Sequence, residues 1–301
     1  MYNEGAALAS FFGRLLPSLE RTGESFEIVC VNDGSSDDTL ARLRDLQLRE
    51  PRVRVIDLSR NFGKEAALTC GIDHARGRAL IPIDADLQDP PELIGEMVRA
   101  WHQGSDVVLA QRTDRSSDGL IKRKMAEWFY RIHNAVSDSP LPANVGDFRL
   151  MDRKVIDALM SLPERNRFMK GLFAWVGFRQ TTVPYVREVR TAGRTKFSGW
   201  RLWNFALDGI TSFSTAPLRI WSYLGLAIAF CSFSFGIFIV ARAILLGRDL
   251  PGYASIITAV LFLGGVQLIG IGVLGEYIGR LHSEVKARPI YIVRERYEDA
   301  A

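Results

Sequence analysis

Cysteine is scarce and scattered. Cys30, Cys70 and Cys231 show no paired spacing, which excludes a disulfide framework and a CxxC-type zinc site. The histidines, His74, His102, His133 and His282, lack HExxH-like spacing, so no histidine metal centre is expected. The first residues, MYNEGAALAS, have neither a basic segment nor an apolar core and do not form a signal peptide. Residues 1–216 carry no GxGxxG dinucleotide fingerprint and no GxxxxGK[ST] phosphate loop, which sets aside the usual NAD and ATP sites. Neither charge sign dominates: 38 Lys and Arg stand against 34 Asp and Glu, a net +4, and no nucleic-acid partner is expected. A charged fraction of 24% excludes a chain embedded wholly in a membrane, and a hydrophobic fraction of 48% excludes a disordered one.

What is present divides unevenly. Up to residue 216 the chain is mixed and charged. Beyond it, Ile220–Ala241 and Leu250–Gly275 contain no charged residue. A helix needs about 20 apolar residues to cross a bilayer, and both runs qualify. Two helices buried inside a soluble core are the alternative, but such helices keep a polar stripe. The short GRDLPG connection (247–252) makes the runs a hairpin. Arg280, Lys286, Arg288, Arg294 and Arg296 follow the second run, against Arg242, Arg248 and Asp249 at the turn. The basic flanks place the large N-terminal part and the tail in the cytosol, with the hairpin in the inner (plasma) membrane. Unpaired thiols fit that reducing compartment. Before the first run, Trp200, Trp203, Leu207, Ile210 and Phe213 recur at helical spacing, which predicts an amphipathic helix in the membrane interface or, alternatively, one packed on a core. Gly264, Gly265, Gly270, Gly272, Gly275 and Gly279 allow close packing within the hairpin or in a homo-oligomer.

The charged part alternates strands with helices. FEIVCVN (26–32), VRVIDL (53–58), ALIPI (79–83) and SDVVLAQR (105–112) read as strands, with helices to about Glu50, to about Arg76 and over 91–103. Pro82 weakens the third strand. This alternation predicts an α/β domain with a mostly parallel sheet and helices on both faces. Ligands bind such sheets beyond the carboxyl ends of the strands. The expected organisation is 1–197 as the cytosolic domain and 198–216 as the interfacial helix. Residues 217–280 form the hairpin, with spans at about 220–243 and 253–276, and 281–301 form a cytosolic tail.

Acidic groups stand at two strand ends. Asp33 follows one, and Asp84-Ala85-Asp86-Leu87-Gln88-Asp89 follows another. Hard oxygen ligands of this kind suit Mg2+ or Mn2+, commonly shared with substrate phosphates. Asp89 before Pro90-Pro91 also reads as a helix cap. Arg112 ends a strand. Lys122-Arg123-Lys124 is either a solvated face or a phosphate contact. Arg187, Arg190, Arg194 and Lys196 form a basic loop next to the membrane, where an anionic lipid head group would arrive.

The motifs Tyr2-Asn3-Glu4, Val31-Asn32-Asp33-Gly34-Ser35-Ser36-Asp37, Arg60-Asn61-Phe62-Gly63-Lys64, Asp84-Ala85-Asp86-Leu87-Gln88-Asp89-Pro90 and Gly146-Asp147-Phe148-Arg149-Leu150 together resemble family 2 glycosyltransferases of the polyprenyl-phosphate type. GVQLIGIGVLGEYIGR (265–280) and ARPIYIV (287–293) resemble the same group. The likeness covers essentially the whole chain, and the branch is that of bacterial and phage bactoprenol (undecaprenyl-phosphate) glucosyltransferases. The resemblance implies a GT-A-like, Rossmann-like domain. It implies a nucleotide-sugar site at Tyr2, Glu4, Asp33, Lys64, Asp84, Ala85, Asp86, Arg112 and Arg123, and a metal at Asp84, Asp86 and Gln88. It further implies catalytic roles for Asp147 and Asp86 and a lipid-phosphate site at Arg190, Arg194 and Lys196. Members begin with a strand of the form IVVPVYNE, so an N-terminal extension of about ten residues supplying that strand is expected.

The implied reaction is inverting transfer of glucose from UDP-glucose to undecaprenyl phosphate, for O-antigen modification. GDP-mannose or an aminoarabinose donor remains the alternative within the same chemistry. A processive polysaccharide synthase is disfavoured, since no QxxRW motif occurs. In another class stands a non-catalytic membrane adaptor recruiting a lipid flippase, which is also a conceivable partner of the enzyme.

Overall fold

The computed structural model describes residues 1–113, 145–165, 167–186, 216–246 and 252–298. Helix α1 (Leu8–Glu20) buries Leu8, Phe11, Phe12 and Leu15, an apolar stripe at helical spacing. Strand β1 (Ile28–Asn32) runs parallel to β2 (Val53–Leu58), with Ile28 opposite Val53 and Asn32 opposite Asp57. Helix α2 (Thr39–Arg49) connects them, and α3 (Lys64–His74) follows β2. β2 is buried along its full length, Arg54 and Asp57 included.

The third strand stops early. ALIPI forms a ladder only over β3 (Ala79–Leu80). Pro82 has no N–H to donate, so the chain leaves the ladder before it and runs into the acidic motif. A 3-10 turn (Pro91–Leu93) leads into α4 (Ile94–His102) and then β4 (Val107–Arg112). After residue 144 come β5 (Val145–Asp152), α5 (Arg153–Met160), α6 (Met169–Trp175) and β6 (Gln180–Tyr185).

The strands form two mixed sheets where a mostly parallel one was expected. One has the order β3-β5-β4-β6, with β5 antiparallel to both neighbours and β6 parallel to β4. The other has the order β1-β2-β7. Strand β7 (Val293–Tyr297) comes from the tail and pairs antiparallel with β2, so that tail is part of the domain. Three of its five residues are charged, which hid it from hydrophobic patterning and suits an exposed sheet edge. The main core joins Phe11, Leu43, Val55, Met97, Val108 and Phe148, and a second lies under α5 and α6. The three cysteines are unpaired, and burial pushes the Cys30 and Cys70 thiols up to about 12.

Helices α7 (Ala216–Leu246) and α8 (Tyr253–Val285) contain windows long and apolar enough to cross a membrane, Ile220–Ile239 and Ser255–Val285, of mean hydropathy 1.9 and 2.3. Phe230, Phe233, Phe235 and Phe238 face outward, which a helix of a soluble core would not allow. The two helices meet where the Trp221 indole sits against Gly270, and a Cβ on that glycine would collide with it. The predicted interfacial helix, 198–216, lies almost wholly outside the described residues.

Candidate functional site

Four strand termini converge on one edge of the domain. β1 ends at Asn32 and delivers Asp33, β3 leads into Asp84, and β4 ends at Arg112. β5 runs the other way, with Val145 opposite Gln111, so its beginning brings Gly146 and Asp147 to the same edge.

The first side of the site is built by turns. Met1 bridges to the end of β1, its amine donating to Val31 O (2.7 Å) and its carbonyl accepting from Asp33 N (2.8 Å). Asn3 adopts φ 55°, its N–H donates to Ser35 Oγ, and its side-chain oxygen accepts from Ser36 N at 2.9 Å. Glu4 N donates to Thr39 Oγ1 and Gly5 N to Asp37 Oδ2. The Tyr2-Asn3-Glu4 loop is thereby stitched to the Asp33–Asp37 turn. Gly34 makes that turn possible: its φ is +63°, and a Cβ would collide with the Arg60–Asn61 backbone.

Asp33 is buried, and its carboxylate accepts from Phe62 N (2.7 Å) and Gly63 N (3.0 Å). It holds the loop that delivers Lys64. Lys64 Nζ then lies 2.7 Å from Asp84 Oδ2 and 2.8 Å from Asp147 Oδ2. Burial alone would lower the Lys64 pKa, but the two carboxylates outweigh it and hold the ammonium firmly protonated. Burial would likewise raise Asp147, yet Lys64, then Lys170, then Arg149 keep it below the ordinary carboxylate range. Asp147 is an ionised carboxylate in a ring of cations.

The acidic loop alternates. Ala85 and Leu87 are buried in the main core, while Asp84 is exposed and Asp86 and Gln88 are half-buried. Leu87 takes φ 57°, and Asp86 Oδ1 accepts from Gln88 N. Two apolar anchors thus hold three oxygen-bearing side chains toward the site. Ala85 contributes its methyl to the core. Asp89 is not the cap of the next helical turn, whose N-cap is Pro90 and which has no side-chain cap; its carboxylate accepts from Tyr185 Oη at 2.6 Å. Tyr185 in turn accepts from Arg112 Nε at 3.2 Å, fixing that arginine beside Gly146.

Tyr2, Glu4, Asp33, Lys64, Asp84, Asp86, Gln88, Arg112 and Asp147 therefore meet in one region. Arg123, Arg190, Arg194 and Lys196 lie outside the described residues. Three further neighbours had escaped the sequence reading. Glu65 accepts from Met169 N at 3.1 Å, and burial, then Asp147, raises its carboxyl to about 7. Lys170 shares the field of Asp147 and Glu65. Arg149 donates to Gly146 O at 2.6 Å and lies 4.3 Å from the Phe173 ring. Only Arg149 had a signal, its place in the GDFRL motif.

Among the described residues no three His, Cys, Asp or Glu side chains cluster as a metal site. The donor chemistry nevertheless fits a hard divalent ion. Asp84, Asp86 and Gln88 share one loop, and Mg2+ commonly takes one or two carboxylates with substrate phosphates completing its shell. Lys64 already shows that a cation is held between Asp84 and Asp147.

Comparison with known proteins agrees with both halves. The family model "Glycosyl transferase family 2" matches residues 1–160, and "GtrB C-terminal hairpin" matches residues 216–281. An uncharacterised glycosyltransferase of Synechocystis sp. is 54% identical over 98% of this chain and 93% of its own. The bactoprenol glucosyl transferase of Shigella phage SfII is 51% identical over 99% of this chain and 96% of its own. A prophage bactoprenol glucosyl transferase homolog of Escherichia coli is 51% identical over 98% and 96%. These matches set aside the non-catalytic adaptor: the chain is a glycosyltransferase, a member of glycosyl transferase family 2 that carries a GtrB-type C-terminal hairpin.

Proposed function

We propose that the chain transfers glucose from UDP-glucose to undecaprenyl phosphate with inversion, at the cytosolic face of the inner membrane. One observation carries the reading: relatives named as bactoprenol glucosyl transferases match this chain over 98–99% of its length, catalytic half and hairpin alike. The geometry supports it. The carboxylate–ammonium cluster belongs to a domain bound to the chain where the second membrane-length helix ends. Glu284, in the last turn of α8, accepts from Arg165 N at 3.0 Å, and β7 pairs with β2. The domain therefore lies on the side where α8 exits, and the basic residues that follow α8 favour the cytosol for that side.

The acceptor phosphate has a second pKa near 6 and is largely dianionic at pH 7. It is a nucleophile without a base, and its oxygen attacks the anomeric carbon while UDP leaves from the opposite face. The obstacle is charge: a phosphate dianion must approach a diphosphate. A divalent ion held by Asp84, Asp86 and Gln88 would supply Lewis-acid neutralisation of the leaving group. Lys64 and Arg112 add fixed positive charge at the same edge. Asp147, kept ionised, orients Lys64 rather than accepting a proton. Tyr2, Glu4 and Asp33 border the base and ribose, and the loop bearing Arg190, Arg194 and Lys196, with Arg123, receives the phosphates.

The test is transfer of labelled sugar into organic-extractable lipid by membranes containing the protein, undecaprenyl phosphate and Mg2+ or Mn2+. Label from UDP-glucose and none from GDP-mannose is expected. Label from GDP-mannose alone, or from neither, overturns the donor assignment.

A further inference from the structure

The ARPIYIV segment and the strand after it lie beyond the hairpin in sequence, yet they end at the donor side of the domain. Ser59 N donates to Ile292 O at 2.9 Å, and Tyr291 Oη donates to Asp73 Oδ2 on α3 at 2.8 Å. Arg294 reaches furthest. Its Nη2 donates to Ser59 O at 2.6 Å, and its Nη1 lies 3.2 Å from Asp57 Oδ2.

Asp57 is 1% exposed, and among the described residues Arg294 is the cation within ion-pair distance of it. The other carboxylate oxygen accepts from Asn32 Nδ2 at 2.7 Å. Asn32 is equally buried and is the last residue of β1. Its own side-chain oxygen accepts from Ser35 N at 3.4 Å, and the next residue is Asp33, which pins Phe62 and Gly63. Arg294 thus touches the site's foundations twice: through Asp57 and Asn32 on the 33–36 turn, and through the Ser59 carbonyl on the loop leading to Lys64.

We propose that Arg294 is a positioning residue of the nucleotide-sugar site, acting through Asp57 and Asn32, so that the strand following the hairpin is a working part of donor binding. This rests on the donor-site reading above. A buried carboxylate that loses its cation is left uncompensated, and the groups around it must rearrange or admit water. That rearrangement alters the hydrogen bond that aims Asn32. An ordinary surface ion pair would have no such reach, because both partners would stay solvated.

The experiment uses the full chain in lipid nanodiscs, with UDP as the binding probe and KM measured for UDP-glucose and undecaprenyl phosphate separately. R294M is expected to weaken UDP binding and raise the donor KM about tenfold, about 1.4 kcal/mol, with the lipid KM unchanged. R294K, which retains the charge, should recover most of the loss. D57N/R294M, which leaves no orphaned charge, should return to within about threefold of wild type. Wild-type UDP affinity in R294M overturns the proposal, as does a loss that raises both KM values equally. Should R294M not fold, R294K and D57N/R294M decide by the same split. A wild-type chain that binds no UDP overturns the donor-site reading itself, and the role of Arg294 with it.

Discussion

Lys64 Nζ stands 2.7 Å from Asp84 and 2.8 Å from Asp147, so one ammonium ties the loop after β3 to the beginning of β5. The three residues come from separate parts of the sequence, and Lys64 itself is delivered by a loop that Asp33 holds. The arrangement keeps the Asp147 pKa below the ordinary carboxylate range and places an ammonium beside the proposed leaving group.

Removing that charge tests the arrangement. Lys64→Met is expected to lower kcat by about a hundredfold or more, the usual consequence of deleting one preorganised electrostatic partner. It also removes the first of the cations that offset the burial of Asp147. The Asp147 pKa then rises toward the ordinary carboxylate range, which titration of its carboxyl by NMR would read. An unmoved Asp147 titration would show that Asp147 does not depend on Lys64.

Glu65 supplies a pH dependence of stability. Its folded pKa, about 7, lies above the ordinary 4.5, with burial the larger cause and Asp147 the next. The folded chain keeps a proton that the unfolded chain releases, so stability falls as pH rises from about 4.5 through about 7. Glu65→Gln keeps an oxygen for Met169 N–H and removes the charge. The variant should melt with wild type near pH 4 and be more stable at pH 8 by up to about 3 kcal/mol, at 1.36 kcal/mol per pKa unit. Melting curves across pH check the sign: a variant less stable at pH 8 refutes it.

The legibility of the molecule was local. VRVIDL was readable to the residue because Val53, Val55, Ile56 and Leu58 make a short apolar-rich segment after the Pro51 break, although Arg54 and Asp57 are buried within it through partners elsewhere in the chain. Pro82 announced the early end of β3, and the acidic motif that follows it carried its own chemistry. What escaped depends on distant partners. VRERY reads as a charged tail, because an edge strand needs only Val293 and Tyr297 to lean on the sheet. Glu65 and Lys170 carry no pattern of their own; only folding brings α3, β5 and α6 together and turns them into parts of the site. The mixed pairing of the sheets followed from the same cause, since β5 and β7 are the strands that run against their neighbours.

Asp33 separates holding from binding. Asp33→Ala leaves the Phe62 and Gly63 N–H groups without their acceptor, each unsatisfied donor costing about 1–3 kcal/mol where water cannot reach it. The loop carrying Lys64 should loosen, lowering the melting temperature and raising the UDP-glucose KM together. Asp33→Asn retains an acceptor oxygen and should fall between. If Asp33 served the nucleotide alone, the melting temperature of the unliganded alanine variant would match wild type.

The hairpin offers a test outside the chemistry. Between two apolar helices surrounded by lipid there is no hydrophobic drive to associate, so close packing at small residues must hold them together. Gly270 is one such contact, because the Trp221 indole occupies the space a Cβ would need. Gly270→Val is therefore expected to push the helices apart and lower the melting temperature of the detergent-purified protein by several degrees. Trp221→Ala opens the seat on the other helix, so Gly270→Val in that background should be milder than in wild type. Equal effects in the two backgrounds would mean that Trp221 and Gly270 do not meet, and that the hairpin closes along another face.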